Sequence, residues 1–163
     1  EIYTLSLHDA LPISFTTLWQ GGAAGIRIEG EQLDQVEPLT RWLVETGRRI
    51  GARELAAALG RLTKYERRLI RQLSPFDAVL TPSTLTPAVP LDTIDQTKTP
   101  AISTRWVNYL DMCALSLPNG MTGNGLPTSL QIVCRGGDEA AALRIGWALE
   151  QATDWHIRAP RLD

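Results

Sequence analysis

Cysteine, lysine and histidine are scarce in this chain, and the cysteine shortage excludes two common motifs. Cys113 and Cys134 are the only cysteines among 163 residues. They lack metal-ligand spacing and form no CxxC pair, so a zinc ribbon or a thioredoxin-like redox motif is ruled out. Both fall in apolar, strand-like runs and read as buried free thiols of a reducing compartment rather than a disulfide. Lysine occurs only at Lys64 and Lys98, against fourteen arginines, a bias that GC-rich codon usage explains without a function. No run approaches the roughly 18 consecutive apolar residues of a membrane helix. A formal net charge of −2 gives no bulk attraction to nucleic acid or to an anionic membrane. Internal repeats and low-complexity segments are absent too.

What is present begins with a segment expected to be foreign to the native protein. Glu1–Ile13, EIYTLSLHDALPI, resembles a translated short-read sequencing adapter, matched codon by codon. It is set aside from fold reasoning as one sets aside a cloning scar, with disorder or a fortuitous helix as its expected state. His8-Asp9 is therefore not half of a catalytic dyad. The expected organisation is a non-native residue 1–14 segment followed by native sequence over 15–163, the tail of a longer protein.

The native part reads as helices alternating with a few strands. Phe15, Leu18 and Trp19 suggest a helix that Gly21-Gly22 would break. A polar loop over Ile26–Glu37 leads to a helix over Pro38–Thr46, with Pro38 suited to its first turn and Gly47 placed to end it. Its inner face would carry Leu39, Trp42 and Leu43. Ala52–Leu73 is the clearest helix, with Leu55, Leu59, Leu62, Leu69 and Leu73 on one 3.6-period face and Ser74-Pro75 as its stop.

A short buried strand over Phe76–Leu80 and a proline-rich loop over Thr81–Lys98 follow. A short helix is expected around Trp106. Asn108–Val133 then reads as strand, glycine turn, strand, with Asn119-Gly120 and Asn124-Gly125 supplying the reversal. A final helix from Asp138 to about Thr153 buries Ala142, Ile145 and Leu149. The fold class is α/β, helices packed on part of a mixed β-sheet. Three strands are few for a self-sufficient sheet of that class.

Three runs together carry a family resemblance. Within Asn108–Val133, Asn108, Ala114, Ser116, Pro118, Gly120, Gly125, Leu126, Pro127, Leu130 and Gln131 fit the "PAxSxPxG … GLPxGLQ" pattern of amidase signature enzymes. Phe76, Asp77, Leu80, Thr81, Pro82, Pro87 and Ala88 fit their "FDxxLTPTxxxPA". Glu45–Arg61 looks like their "GRxxSAxDLAxA". The order and spacing of these runs extend the resemblance over Phe15–Asp163, as a C-terminal fragment of that fold.

The resemblance implies hydrolysis of a carboxamide through a seryl acyl-enzyme. The implied machinery is a serine nucleophile, a second serine in a cis peptide and a lysine base whose pKa must be lowered for it to accept a proton. A "GGSSGG"-like loop would supply oxyanion donors. This chain has no such loop. Ser14, Ser74, Ser83, Ser103, Ser116 and Ser129 all lack that setting. Lys64 sits among Arg61, Arg67, Arg68 and Arg71 on a polar helix face, which reads as solvated rather than RNA-binding. Lys98 sits in a loop. No catalytic residue is therefore expected within the chain, and the fragment alone is expected to be inactive.

The substrate-pocket candidates are Pro82, Ser83 and Thr84, at the C-terminal end of a strand where open sheets bind ligands, with Asn108 and Asp111 near the next strand. Asn108 and Asp111 serve equally well as caps for loop backbone. Asp111 stands where many family members carry glycine. Trp106, Trp147 and Met112 read as packing residues, and His156 as a surface histidine. Gly120–Gly125 opens no helix and is no phosphate loop.

No metal or cofactor is implied. The implied partner is a small amide substrate in a cytoplasmic parent, and a homodimer stays open. Two other functions remain: the glutaminase component of a tRNA-dependent amidotransferase, and a non-enzymatic interaction module.

Overall fold

In a computed structural model of the chain, residues 11–94 and 101–158 are described. The polypeptide divides into two units, residues 1–71 and 72–163. The first is helical: α1 (Leu11–Ala23), α2 (Glu31–Asp34), α3 (Pro38–Arg49) and most of α4 (Ala52–Leu73). Leu11–Ile13 of the adapter-like segment fall in the first turn of α1, and residues 1–10 lie outside the described part. Ser14 is buried and its hydroxyl accepts from Arg61 Nε at 3.0 Å.

Two glycine expectations fail here. Gly21-Gly22 does not break α1, and Gly47 does not end α3. A Cβ on Gly47 would sit 1.9 Å from the Gln20 carbonyl oxygen. Gly47 thus lets two helix backbones touch, and close approach rather than chain termination explains it. Val44, not Trp42, takes the buried place on α3, and Trp42 stays 44% exposed. On α4 the inner stripe is Ala58, Leu62, Leu69 and Leu73, while Leu59 points outward. The loop expected over Ile26–Glu37 contains α2, and Arg48 ties it down by donating to the carbonyls of Ile26 and Ile28.

The second unit is built on a three-stranded antiparallel sheet. Its strands are β1 (Val79–Pro82), β2 (Cys113–Met121) and β3 (Pro127–Cys134), in the order β1-β3-β2. β1 starts three residues later than the sequence suggests, because Phe76 closes the end of α4 by donating its N–H to Leu73. A short helix, α5 (Arg105–Tyr109), precedes β2, and α6 (Glu139–Ala152) follows β3. The Asp138 side chain caps α6 by accepting from the Ala141 N–H at 3.2 Å, as its place before the helix predicts.

Asn119-Gly120 does not make the reversal. Both residues belong to β2, with a register shift between Pro118 and Gly120. The turn is Thr122–Leu126, and its left-handed residue is Gly125, at φ 82°.

Strand alternation sorts the two faces. Cys113, Leu115, Leu117, Leu130, Ile132 and Cys134 pack with Ala141, Ala142 and Ile145 of α6. Gly146 lets the helix settle on Leu115 and Leu117. Gln131, on the opposite face, reaches the Ser103 carbonyl in the 3-10 turn Ala101–Ser103 that precedes α5. Trp106 is buried as expected, but Trp147 projects from α6 with 64% exposure and joins no core among the described residues.

Candidate functional site

The turn of chain after β1 and the β2–β3 end of the sheet enclose a groove of about 430 Å³. Its walls are Leu80–Pro82, Thr84–Ala88, Asn119 and Pro127–Leu130. Their side chains are hydroxyls, one carboxamide, proline rings and aliphatics. None of these thirteen residues titrates near neutral pH. The groove can hydrogen-bond a polar ligand and pack an apolar one. It cannot itself take up or deliver a proton in a general acid–base step.

The groove owes its shape to side-chain hydrogen bonds across the sheet. Ser83 and Ser116 pair through their hydroxyls at 2.7 Å, 33 positions apart in sequence. Gln131 is buried at 4% exposure, and its amide donates to Thr81 Oγ1 at 3.0 Å and to the Ser103 carbonyl at 2.9 Å. Thr81 lies directly opposite Gln131 in the β1–β3 register. One buried carboxamide therefore fixes both the strand that forms the wall and the turn beneath it. Thr84 Oγ1 donates to the Thr86 carbonyl at 2.8 Å and turns the chain at the rim.

The five pocket candidates separate. Pro82 and Thr84 line the groove. Ser83, between them, is buried and turned toward Ser116. Asn108 is exposed on α5, and Asp111 is exposed in the turn before β2. Neither borders the groove. Asp111 holds a left-handed φ of 52°, the one positive value on a non-glycine residue among those described. Asp tolerates that conformation better than most residues. Its carbonyl oxygen would lie 2.1 Å from a Cβ on Gly136, so the two loops meet backbone to backbone. Asn119, read from sequence only as a turn residue, and Thr128, not singled out, both line the groove and join through a 3.0 Å hydrogen bond. The signal for that pair was cross-strand register, which shows only once the bulge is known.

Elsewhere the described residues offer little chemistry. Lys64 is exposed, His156 is exposed, and Lys98 lies outside the described residues. No cluster of three or more His, Cys, Asp or Glu among the described residues could hold a metal ion. Among them no helix is long and apolar enough to cross a membrane. Burial, reinforced by the negative charge that Cys113 or Asp138 can carry, pushes the Cys134 thiol above its ordinary range.

The second unit is thus an antiparallel sheet covered by α6, with a non-titrating, hydrogen-bonding groove at one end. The Amidase family profile matches residues 30–143, and the chain belongs to that family, whose members are amidohydrolases. It is 33% identical over 162 residues to the A subunit of glutamyl-tRNA(Gln) amidotransferase from Thermodesulfovibrio yellowstonii, covering 88% of this chain and 34% of that protein. It is 40% identical over 95 residues to the corresponding protein of Geobacter metallireducens, covering 55% and 19%.

The fold of 6-aminohexanoate cyclic dimer hydrolase matches 96% of this chain and 38% of that one, with a TM-score of 0.78 at 24% identity. A crystal structure of an amidase matches 91% and 36%, with a TM-score of 0.77 at 24% identity. The chain thus spans about a third or less of the length of the curated relatives it matches.

Proposed function

We propose that this chain is the C-terminal part of an amidase domain and forms one wall of its substrate pocket. The parent hydrolyses a carboxamide C–N bond through a seryl acyl-enzyme. The observation that carries this reading is the groove after β1, polar enough to orient an amide yet lined by no group that can move a proton. In this reading the Ser-cisSer-Lys machinery lies outside the chain, and Pro82, Ser83 and Thr84 contribute binding and shape. Asn108 and Asp111 support the loop behind β2 rather than touch substrate. The parent works in the cytoplasm on a small amide, without a metal or cofactor and without direct contact to nucleic acid or membrane.

The apolar surface of α6 supports a larger parent. Leu143 and Trp147 stand exposed beside Leu115 and Leu117 around an open hollow of about 880 Å³. Exposed apolar surface of this kind marks a face that packs against something. Ammonia release from a panel of carboxamides tests the reading. The gene's full open reading frame is expected to hydrolyse at least one amide, and the 163-residue chain none. Turnover by the short chain, or a full-length product inert on all amides and on glutamine, would sink it.

A second reading has its own support. Both the Thermodesulfovibrio and the Geobacter relatives are glutamyl-tRNA(Gln) amidotransferase A subunits. The parent would then be the glutaminase of a tRNA-dependent complex, and glutamine would be the preferred amide in the same panel.

A further inference from the structure

We infer that Cys113 and Cys134 form a reversible disulfide on exposure to a low-molecular-weight disulfide such as oxidised glutathione. The sequence alone reads them as separate buried thiols. The sheet makes them direct cross-strand partners, Cys113 on β2 opposite Cys134 on β3. Opposed residues of an antiparallel pair place their side chains on one face, with Cα atoms roughly 4.5–5.5 Å apart. A disulfide needs about 4.4–6.8 Å between Cα atoms, so the backbone spacing of such a pair falls in the range the bond requires. Both residues belong to the one apolar cluster under α6. The Cys113 thiol also donates to the Arg135 carbonyl at 3.2 Å, which holds its sulfur beside the end of β3. Both cysteines are free in the structure.

Exposure orders the steps. Cys113 is partly exposed and Cys134 is 1% exposed. The Cys113 thiolate attacks one sulfur of glutathione disulfide, the S–S bond breaks, and one glutathione thiolate leaves. Cys134 then loses its proton and attacks the Cys113 sulfur of the mixed disulfide, expelling the second glutathione. Two protein thiols give up two electrons and two protons, and glutathione disulfide is reduced to two thiols. The product ties β2 to β3 three registers from the Ser116–Gln131 pair. The inference is independent of the amidase reading.

The test is redox titration of the chain in glutathione buffers, with acid quenching and intact mass. It is run in native buffer, where circular dichroism reports the fold, and again in guanidinium chloride. The native chain is expected to become lighter by two hydrogens and to yield a linked peptide containing both cysteines. Its equilibrium constant for the bond should exceed that in denaturant at least tenfold, about 30 mV in potential. Cys113→Ser should abolish the mass loss while keeping the circular dichroism signal. Two separate glutathione adducts on the folded chain, or equal constants with and without denaturant, would overturn the inference.

Discussion

Replacing Gln131 with methionine removes the carboxamide that joins β1, β3 and the turn before α5. Methionine nearly conserves volume, so the change reports on polar contacts more than on packing. Two hydrogen bonds disappear, to Thr81 Oγ1 and to the Ser103 carbonyl. Each is worth about 1 kcal/mol net. Ser103 is buried, so its carbonyl loses a partner that water does not readily replace, at a further cost of roughly 1–3 kcal/mol. Part of this returns through burial of the apolar side chain, about 1 kcal/mol. The expected loss is therefore about 2–4 kcal/mol.

Urea unfolding measures it, with an unchanged m-value showing that compactness is unaltered. The double-mutant cycle with Thr81→Val should show a coupling of about 1 kcal/mol, since the two residues share one of the bonds. A loss below about 0.5 kcal/mol, or no coupling, would refute the claim that Gln131 holds the groove wall.

Gly136→Ala should destabilise by about 1–3 kcal/mol, because its Cβ would strike the Asp111 carbonyl; thermal melts of the chain check this. Gly47→Ala should cost at least as much, since its Cβ would strike the Gln20 backbone, and the same melts would show it. Asp111→Gly relieves a left-handed φ of 52° but loosens the unfolded chain, so it should change stability by less than about 1 kcal/mol, whereas Asp111→Val should lose more than that. Burial raises the Cys134 thiol pKa in the folded state above its ordinary value of 9.0. Its contribution is then complete below that ordinary value and is lost as pH rises through the folded one, because only the unfolded thiol ionises readily. Urea midpoints measured from about pH 8 to about pH 10.5 should fall more steeply for the unsubstituted chain than for Cys134→Ala.

Local chemistry made much of this molecule legible in advance. The stripe of Leu62, Leu69 and Leu73, the Asp138 cap and the alternation along β2 each follow from nearest-neighbour physics, and each stands in the structure. The failures share a cause in contacts between distant residues. Gly47 looks like a helix stop until Gln20 is placed against it. Asn119-Gly120 has turn composition, yet the register with Thr128 and Pro127 keeps Gly120 in β2. Trp147 reads as a packing residue because it is large and apolar, and nothing among the described residues covers it. Proline placement and the strand before it mark the region of the groove. The Ser83–Ser116 pair beside it joins residues whose separation hides them from any sequence window.

The most direct test of the central claim is to read the source DNA across the codons for Ile13–Phe15 with an adapter-free long read. The account predicts an open reading frame continuing upstream through a GGSSGG-like serine loop to a lysine codon, with the adapter-like codons gone. A start codon with its own regulatory sequence just upstream of Phe15 would contradict it, and would make the short chain a protein in its own right.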